Sequence, residues 1–222
     1  MLLTGFPAGM LACNCYVLAQ RQGSDAIIVD PGQRAFGPLR RILDENRLTP
    51  AAVLLTHGHI DHLWSAQKVA DTFGCPVFIH PEDRYMLTDP IRGFGPRIAQ
   101  MAFGALFREP KQVVELERDG QLLDLGGLAV TVDHTPGHTP GHVSLLHPDS
   151  GVLITGDSIF NMNGRMTWPF KAFCTDFPLN RRTSAVLADL DYTTAAFTHG
   201  PQIDTSAREA VRGFLRRKGV VQ

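Results

Sequence analysis

Cysteine is scarce in this sequence. Its 222 residues include four cysteines, and no two of them have the Cys-x-x-Cys spacing of many zinc and redox sites. Scattered cysteines of this kind argue against a disulfide scaffold and indicate reduced thiols, so we predict a cytoplasmic protein. Cys13 and Cys15 alternate along a predicted strand and therefore share one face, where small thiols pack as hydrophobic residues.

A strong charge of either sign is also missing. The chain has 21 basic and 22 acidic residues, which give a formal net charge of −1 at pH 7. Such a balance produces no long-range field that would recruit nucleic acid or an anionic membrane. We therefore expect a small-molecule substrate as the partner, with no nucleic acid and no membrane.

Long apolar runs are absent as well. No apolar run approaches the roughly 20 residues that a membrane-spanning helix needs. The first 18 residues contain no Lys or Arg and are interrupted by Gly5, Pro7 and Gly9, so they predict a strand and a turn instead of a signal peptide. The chain length is typical of one α/β domain, and we predict a single domain over residues 1–222.

Hydrophobic periodicity predicts both strands and helices. Segments 15–19 and 26–29 predict a β-hairpin, and the run 52–55 predicts a strand buried on both faces. Apolar residues then recur at helical spacing, which predicts one helix over residues 60–73. Later strands are predicted at 77–80, 113–114, 122–123, 128–132, 143–146 and 152–154, and later helices at 181–190 and 206–217. Two strand-rich stretches with helices indicate two packed sheets with helices outside.

Four potential metal ligands fall within six residues directly after the strand at 52–55. They are His57, His59, Asp61 and His62. Imidazole suits zinc and other borderline first-row metals, and a carboxylate adds charge neutralisation. His57 and His59 point the same way along an extended turn, whereas Asp61 and His62 begin a helix and diverge, which suits two adjacent metals. Alone, Asp61 would be read as a helix cap, but beside three histidines it predicts a metal site.

Three further segments place a ligand-type residue just beyond a predicted strand. His138 lies between two Pro-Gly pairs that force turns, and Asp157 and His199 each follow a short apolar strand. His134 and His142 flank His138, and each is consistent either with support of a ligand or with turn packing.

Together these four segments resemble the metallo-β-lactamase superfamily, and they look most like its glyoxalase II (hydroxyacylglutathione hydrolase) branch, over about residues 14–199. The resemblance implies an α/β fold of the four-layer αββα sandwich type, with two mixed sheets and helices outside. It also implies a binuclear metal centre with seven ligands. The first metal would be bound by His57, His59 and His138, the second by Asp61, His62 and His199, and Asp157 would bridge the two.

This ligand set implies a metallohydrolase with two zinc ions per chain, for which iron or manganese is the alternative. Two metals about 3.5–4 Å apart activate a water for attack on a carbonyl carbon. Asp61 would also orient this water or take its proton. The glyoxalase II likeness indicates a thioester of the hydroxyacyl-thiol type as the substrate.

Parts of the sequence depart from the glyoxalase II pattern. Only 23 residues follow His199 in this chain. The glyoxalase II pattern is longer and continues into a C-terminal helical domain that binds glutathione. We therefore expect no separate C-terminal substrate-binding domain. The open alternatives are a lactonase or β-lactamase-like hydrolase, a persulfide dioxygenase with one iron, and a domain in which the metals are only structural.

Other residues remain weaker candidates. Arg165 and Lys171 lie between Asp157 and His199, where a cation would hold a substrate carboxylate. Asp30 is consistent with a hydrogen bond to a ligand histidine and equally with the end of a strand. His80 and His147 are interpreted as ordinary surface or loop histidines. Six aromatic residues are consistent with a pocket or with a core, namely Trp64, Phe94, Phe103, Phe107, Trp168 and Phe170.

Overall fold

The computed structural model describes residues 1–90, 107–116 and 119–222. The described chain divides into two compact units. The first unit comprises Met1–Glu117 and Asp124–Leu128, and the second comprises Arg118–Leu123 and Ala129–Gln222. A single domain over residues 1–222 stays a prediction.

The first unit contains a six-stranded mixed sheet in the order β1-β2-β3-β4-β5-β6. The strands are β1 Leu2–Ala8, β2 Cys13–Ala19, β3 Asp25–Val29, β4 Thr49–Leu54, β5 Val77–Ile79 and β6 Val113–Glu115. The first three pair antiparallel, and the pairs β3/β4, β4/β5 and β5/β6 are parallel. The predicted hairpin is confirmed as β2 and β3. The side chains of Cys13 and Cys15 are both fully buried on β2, as their alternation predicted.

Two short helices replace the single helix predicted over residues 60–73. The helices of the first unit are α1 Phe36–Asn46, α2 Ile60–Leu63 and α3 Ala66–Phe73, followed by a 3-10 helix at Pro81–Leu87. At the break, the Ser65 N–H donates to the Pro31 carbonyl at 2.8 Å instead of continuing the helix, and its hydroxyl donates to Gly32 at 2.7 Å. A Cβ on Gly32 would meet the Asp61 carbonyl oxygen at 1.9 Å. The loop after β3 therefore approaches α2 so closely that it ends the helix.

A five-stranded mixed sheet has the order β13-β10-β9-β8-β7. Its strands are β7 Gln121–Leu125, β8 Leu128–His134, β9 Val143–His147, β10 Val152–Ile154 and β13 Thr194–Ala196. β8/β9 and β9/β10 are antiparallel, and β10/β13 is parallel. A separate antiparallel pair is formed by β11 Phe160–Met162 and β12 Arg165–Thr167.

The second unit has two α-helices among its described residues. They are α4 Phe177–Thr183 and α5 Ala207–Arg217, and four 3-10 helices lie at Pro148–Ser150, Gly156–Ser158, Lys171–Phe173 and Ser184–Ala188. The helix predicted at 181–190 begins earlier, because the Asp176 carboxylate accepts from the Leu179 N–H at 2.8 Å and caps its first turn. α5 buries Val211, Phe214 and Leu215 in the core of this unit. The predicted fold class, mixed sheets with helices in an α/β protein, is confirmed.

His147 differs from its interpretation as a surface residue. It ends β9 and is buried, with its Nδ1 2.8 Å from the Ser150 hydroxyl. Burial lowers the pKa of His147, so the neutral imidazole is favoured. Among the described residues, no helix is both long and apolar enough to cross a membrane.

One buried carboxyl makes the stability of the fold depend on pH. In β8, burial and then the nearby charge of Asp119 raise the pKa of Asp133 from 3.8 to about 6. Because this pKa is higher in the folded than in the unfolded chain, stability is retained below about pH 4 and is lost as the pH rises through 6. Replacing Asp133 with Asn is expected to raise the free energy of unfolding by about 1 kcal/mol at pH 8, after allowance for solvent screening, and to leave it unchanged at pH 4. Denaturant titration at both pH values measures the difference, and an equal effect at both would contradict it.

Candidate metal centre

The His-x-His-x-Asp-His segment is held at the end of β4 by backbone and side-chain contacts. The ring centroid of His57 lies 4.7 Å from that of His59 and 4.0 Å from that of His62. All three histidines are buried. His59 is the N-cap residue of α2, and Asp61 and His62 lie in its first turn, so the helix start turns these two side chains away from the extended segment. Asp61 is therefore within the helix and is not its cap.

Asp30 organises this segment from the end of β3. Its Oδ1 accepts from the Thr56 N–H at 2.8 Å, and its Oδ2 accepts from the Thr56 hydroxyl at 2.7 Å and from His62 Nδ1 at 2.9 Å. Asp30 is fully buried and has a left-handed backbone with φ 49°. A buried carboxylate with three donors fixes both the tautomer and the orientation of the imidazole. The hydrogen-bond interpretation of Asp30 is thus confirmed.

Thr56, Gly58 and Asp83 also position the histidines, and sequence reasoning missed all three. The Thr56 hydroxyl lies 3.0 Å from His57 Nδ1. The buried Asp83 carboxylate accepts from the Gly58 N–H at 2.9 Å, and a Cβ at position 58 would meet Met86 Sδ at 2.5 Å. Proximity to the motif could have indicated Thr56 and Gly58. No local signal marks Asp83, which comes from the 3-10 helix 25 residues later.

A thiol lies beside the second half of the motif. The ligand-type atoms of Cys13, Asp61 and His62 all lie within 4.8 Å of one another. The Cys13 sulfur is 3.5 Å from His62 Nδ1, and His62 Nε2 is 3.6 Å from Asp61 Oδ2. Burial raises the pKa of the Cys13 thiol to about 12, which keeps it neutral. Packing was the preferred interpretation of Cys13 and a ligand role the minority one, and the structure adds this contact with His62.

The second unit brings together the remaining three predicted ligands. His138 Nε2 lies 3.0 Å from Asp157 Oδ2, and His199 Nε2 lies 3.6 Å from Asp157 Oδ1. All three side chains are buried. His138 lies in the turn after β8, Asp157 in the 3-10 helix after β10, and His199 after β13, so neighbouring strands of one sheet deliver them.

His142 and Thr198 hold Asp157 in place. The Asp157 N–H donates to His142 Nε2 at 2.8 Å, so this nitrogen is an acceptor and the proton lies on Nδ1, which donates to the Thr135 carbonyl at 3.0 Å. The Thr198 hydroxyl donates to Asp157 Oδ1 at 2.6 Å. With both nitrogens in these contacts, His142 supports the predicted ligand Asp157 instead of binding a metal itself.

His134 has a packing role in the same turn. Its Nε2 donates to the Pro140 carbonyl at 2.9 Å, and its backbone N–H donates to Asp119 at 2.7 Å. These contacts stabilise the Pro-Gly turns that carry His138. Of the two interpretations left open for His134, turn packing is the one that the structure favours.

The donor chemistry of the two units fits metal ions. Three histidines use their Nδ1 atom for a contact within their own unit. His57 Nδ1 contacts the Thr56 hydroxyl, and His62 Nδ1 contacts the Asp30 carboxylate. His138 Nδ1 lies 3.5 Å from the Cys174 sulfur. The Nε2 atoms of three histidines lie near carboxylate oxygens. These are His62 beside Asp61, and His138 and His199 beside Asp157. First-row metals prefer imidazole nitrogens together with carboxylate oxygens as ligands. A hydrogen bond at the other ring nitrogen orients such an imidazole.

The weaker candidates fall into different surroundings. Arg165 on β12 and Lys171 in a 3-10 helix are both exposed. Trp64 packs edge-to-face on Phe107 at 5.2 Å, and both rings also line a small cavity. Trp168 packs on Phe214 at 4.9 Å and is a packing residue. Phe170 is 61% exposed. Phe94 and Phe103 lie outside the described residues.

Comparison with known proteins agrees with these two ligand clusters. The sequence model of the metallo-beta-lactamase superfamily matches residues 8–213, which is most of the chain. The chain belongs to this superfamily. A Mycobacterium leprae protein is 74% identical to this chain over 161 residues. The match covers 72% of this chain and 74% of the relative.

Two more distant relatives carry functional names. The "probable metallo-hydrolase YqgX" of Bacillus subtilis is 28% identical over 210 residues, or 94% of this chain and 95% of the relative. The hydroxyacylglutathione hydrolase GloC of Haemophilus influenzae is 31% identical over 162 residues, or 70% and 71%.

Solved structures show the same metallo-β-lactamase fold. The BLEG-1 B3 metallo-beta-lactamase superposes with a TM-score of 0.75 at 31% identity, covering 96% of this chain and 99% of that one. TTHA1623, solved in a di-iron-bound form, gives a TM-score of 0.66 at 26% identity, with coverage of 96% and 100%.

Proposed function

We propose that this chain is a metal-dependent hydrolase that cleaves thioesters of the hydroxyacyl-thiol type at a binuclear centre. One observation carries the proposal: each unit presents buried histidines beside a carboxylate, and the two clusters together contain the seven predicted ligand residues. In the proposed centre, His57, His59 and His138 would hold one metal, Asp61, His62 and His199 would hold the other, and Asp157 would contribute to both. Zinc is the proposed metal, with iron and manganese as alternatives.

When bound, two such metal ions lower the pKa of a water and polarise the carbonyl that it attacks. The reaction adds water to the thioester carbonyl carbon and breaks its bond to sulfur, so that a carboxylic acid and a thiol leave. Asp61, only partly buried at the start of α2, is placed to accept the proton of the attacking water. That proton then becomes available to the thiolate that departs.

The chain's own residues pre-organise this chemistry. Asp30 locks the His62 ring, while Thr198 and the backbone contact to His142 lock the Asp157 carboxylate. Ligands fixed before the substrate arrives need no reorganisation during the reaction, which is the main source of electrostatic catalysis. These supporting contacts supply the fixed ligand geometry that the proposed catalytic centre requires.

The thioester substrate is supported by the relation to hydroxyacylglutathione hydrolase GloC. A second candidate function is β-lactam hydrolysis, which the similarity to the BLEG-1 B3 metallo-beta-lactamase favours. Both reactions are attacks of water on a carbonyl carbon, and they differ in the leaving group, which is a thiolate in one and an amide nitrogen in the other.

A substrate panel tests the proposal. The protein, reconstituted with zinc, is assayed on acyl-thiols, lactones, β-lactams and phosphodiesters, beside Asp61→Asn, His138→Ala and the exposed control Asp149→Asn. We expect acyl-thiols to give the highest kcat/KM, the first two variants to lose on the order of 10²–10³-fold, and the control to match wild type. Equal rates in wild type, Asp61→Asn and His138→Ala would refute the mechanism, and preference for β-lactams would select the second function.

A further inference from the structure

A strand outside its own sheet contacts the predicted ligand His199. His199 follows β13 of the five-stranded sheet, whereas β11 pairs with β12 in a separate two-stranded sheet. The Asn161 N–H of β11 donates to the His199 carbonyl at 2.9 Å. The ring of the preceding residue, Phe160, lies 4.6 Å from the His199 imidazole between centroids. β11 therefore contacts both the backbone and the side chain of this ligand.

The side chain of Asn161 makes a second hydrogen bond to the same turn. Its Nδ2 donates to the Pro201 carbonyl at 2.6 Å, and the residue is only 3% exposed. Because a carbonyl can only accept, the amide end that faces Pro201 is the NH2 group. The backbone N–H and the side-chain amide of one buried residue thus bind the carbonyls of His199 and Pro201, on either side of Gly200.

The turn between these two carbonyls is closely packed on Asn161. Gly200 has φ 103°, a conformation that favours glycine, and a Cβ at this position would collide with the Asn161 carbonyl oxygen. The backbone of the turn therefore lies directly against that of β11. A shift of the turn would also move the His199 imidazole, whose Nε2 is 3.6 Å from Asp157 Oδ1.

We propose that Asn161 is a positioning residue that sets His199 for the second metal. This inference rests on the proposed binuclear centre, in which His199 is a ligand of that metal. The ligands of such a centre must be held within about 0.5 Å of the productive geometry. Asn161 does this for His199 through the main chain, whereas Asp30 does it for His62 through the imidazole. Loss of the Asn161 amide therefore weakens binding of the second metal and spares the first.

Two variants of Asn161 and a matched control test this role. Asn161→Ala removes the amide, and Asn161→Leu keeps a branched side chain of similar shape without a donor. Both variants keep the backbone N–H that binds His199. Tyr192→Phe is the control, because the buried Tyr192 hydroxyl also donates to a main-chain carbonyl of the same unit, that of Leu187 at 3.0 Å. The control removes a hydrogen bond of the same kind away from the predicted ligands.

Zinc titration against a fluorescent chelator gives two affinities per chain, and His199→Ala identifies the one that belongs to the second metal. We expect this affinity to fall about 10- to 100-fold in both Asn161 variants, as it does when the support of a ligand histidine is removed. The other affinity should stay within about twofold, and Tyr192→Phe should keep both. At limiting zinc the Asn161 variants should lose kcat, and excess zinc should restore it, which a general folding defect would not allow.

NMR of the metal-free protein reports the position of His199 independently of zinc. The nuclear Overhauser effect between the Phe160 ring and the His199 imidazole should be strong in the wild type and in Tyr192→Phe. It should be weaker in Asn161→Ala and Asn161→Leu, because the turn that carries His199 is no longer bound at Pro201. Thermal melting shows that each variant is folded.

Several results would overturn the inference. These are unchanged zinc affinities in both Asn161 variants, an equal loss of both affinities, or the same loss in Tyr192→Phe. Binding of fewer than two zinc ions by the wild type would instead refute the proposed binuclear centre. In that case a weaker Phe160–His199 signal in the Asn161 variants would still support the positioning of His199, and an unchanged signal would refute it.

Discussion

Replacing Asp157 with Asn is expected to lower kcat/KM for the best acyl-thiol by at least ~10³-fold, a loss typical of removing a central electrostatic group. The carboxylate accepts from Thr198 at 2.6 Å and lies within 3.6 Å of both His138 Nε2 and His199 Nε2. Asn keeps the size of this side chain but removes its negative charge, which would offset the charge of the two metal ions in the proposed centre. We therefore also expect fewer metal ions per chain by elemental analysis.

Asp204→Asn is the matched control, because Asp204 is exposed and belongs to the same unit. It should keep both activity and metal content. Full activity of Asp157→Asn with unchanged metal content would show that this carboxylate has no place in the centre.

Replacing Asp30 with Asn is expected to weaken metal binding about 10- to 100-fold, as changes to the hydrogen-bond partner of a ligand histidine do. Asn tolerates the left-handed backbone at this position, where φ is 49°, so the change tests the carboxylate and not the loop. An amide offers one acceptor oxygen, whereas Asp30 accepts from Thr56 and His62 with both oxygens. Competition with a fluorescent chelator measures the zinc affinity.

Asp30→Ala provides the contrast to this conservative change. It leaves buried donors without their acceptor, and we expect it to cost about 3 kcal/mol or more in the free energy of unfolding. The exposed Asp44→Asn should change neither affinity nor stability. Wild-type zinc affinity in Asp30→Asn would mean that the Asp30 carboxylate does not contribute to metal binding through His62.

The ligand candidates could be predicted from the sequence because their spacing is local. His57, His59, Asp61 and His62 follow a buried strand within six residues, and this density alone indicates metal chemistry. His138 is marked by its Pro-Gly turns. Strand and helix periods were also sufficient for the β2/β3 hairpin and for α5.

Features fixed by contacts distant in sequence could not be predicted. The break between α2 and α3 depends on Ser65 bonding to the loop at Pro31 and Gly32, about 30 residues earlier. Likewise, His142 Nε2 can be recognised as a hydrogen-bond acceptor only from the structure, which places the Asp157 N–H next to it. The periodicity of apolar residues carries no information about such contacts.

The exposure of Phe170 is also a result of the fold. From the sequence, Phe170 is equally consistent with a core position, because aromatic residues are usually packed. In the structure its ring is 61% exposed, and the segment that follows it is hydrogen-bonded to the His138 turn through residues 175 and 176. The contacts that support the predicted ligands thus come from the three-dimensional fold, while the metal chemistry comes from residue types and spacing.

The most direct test of the binuclear centre is a crystal structure of the zinc-loaded protein with anomalous diffraction recorded on both sides of the zinc absorption edge. The account predicts two anomalous peaks per chain, one bound by His57, His59 and His138 and the other by Asp61, His62 and His199, with Asp157 bound to both. A single peak, or peaks bound by other residues, would contradict it.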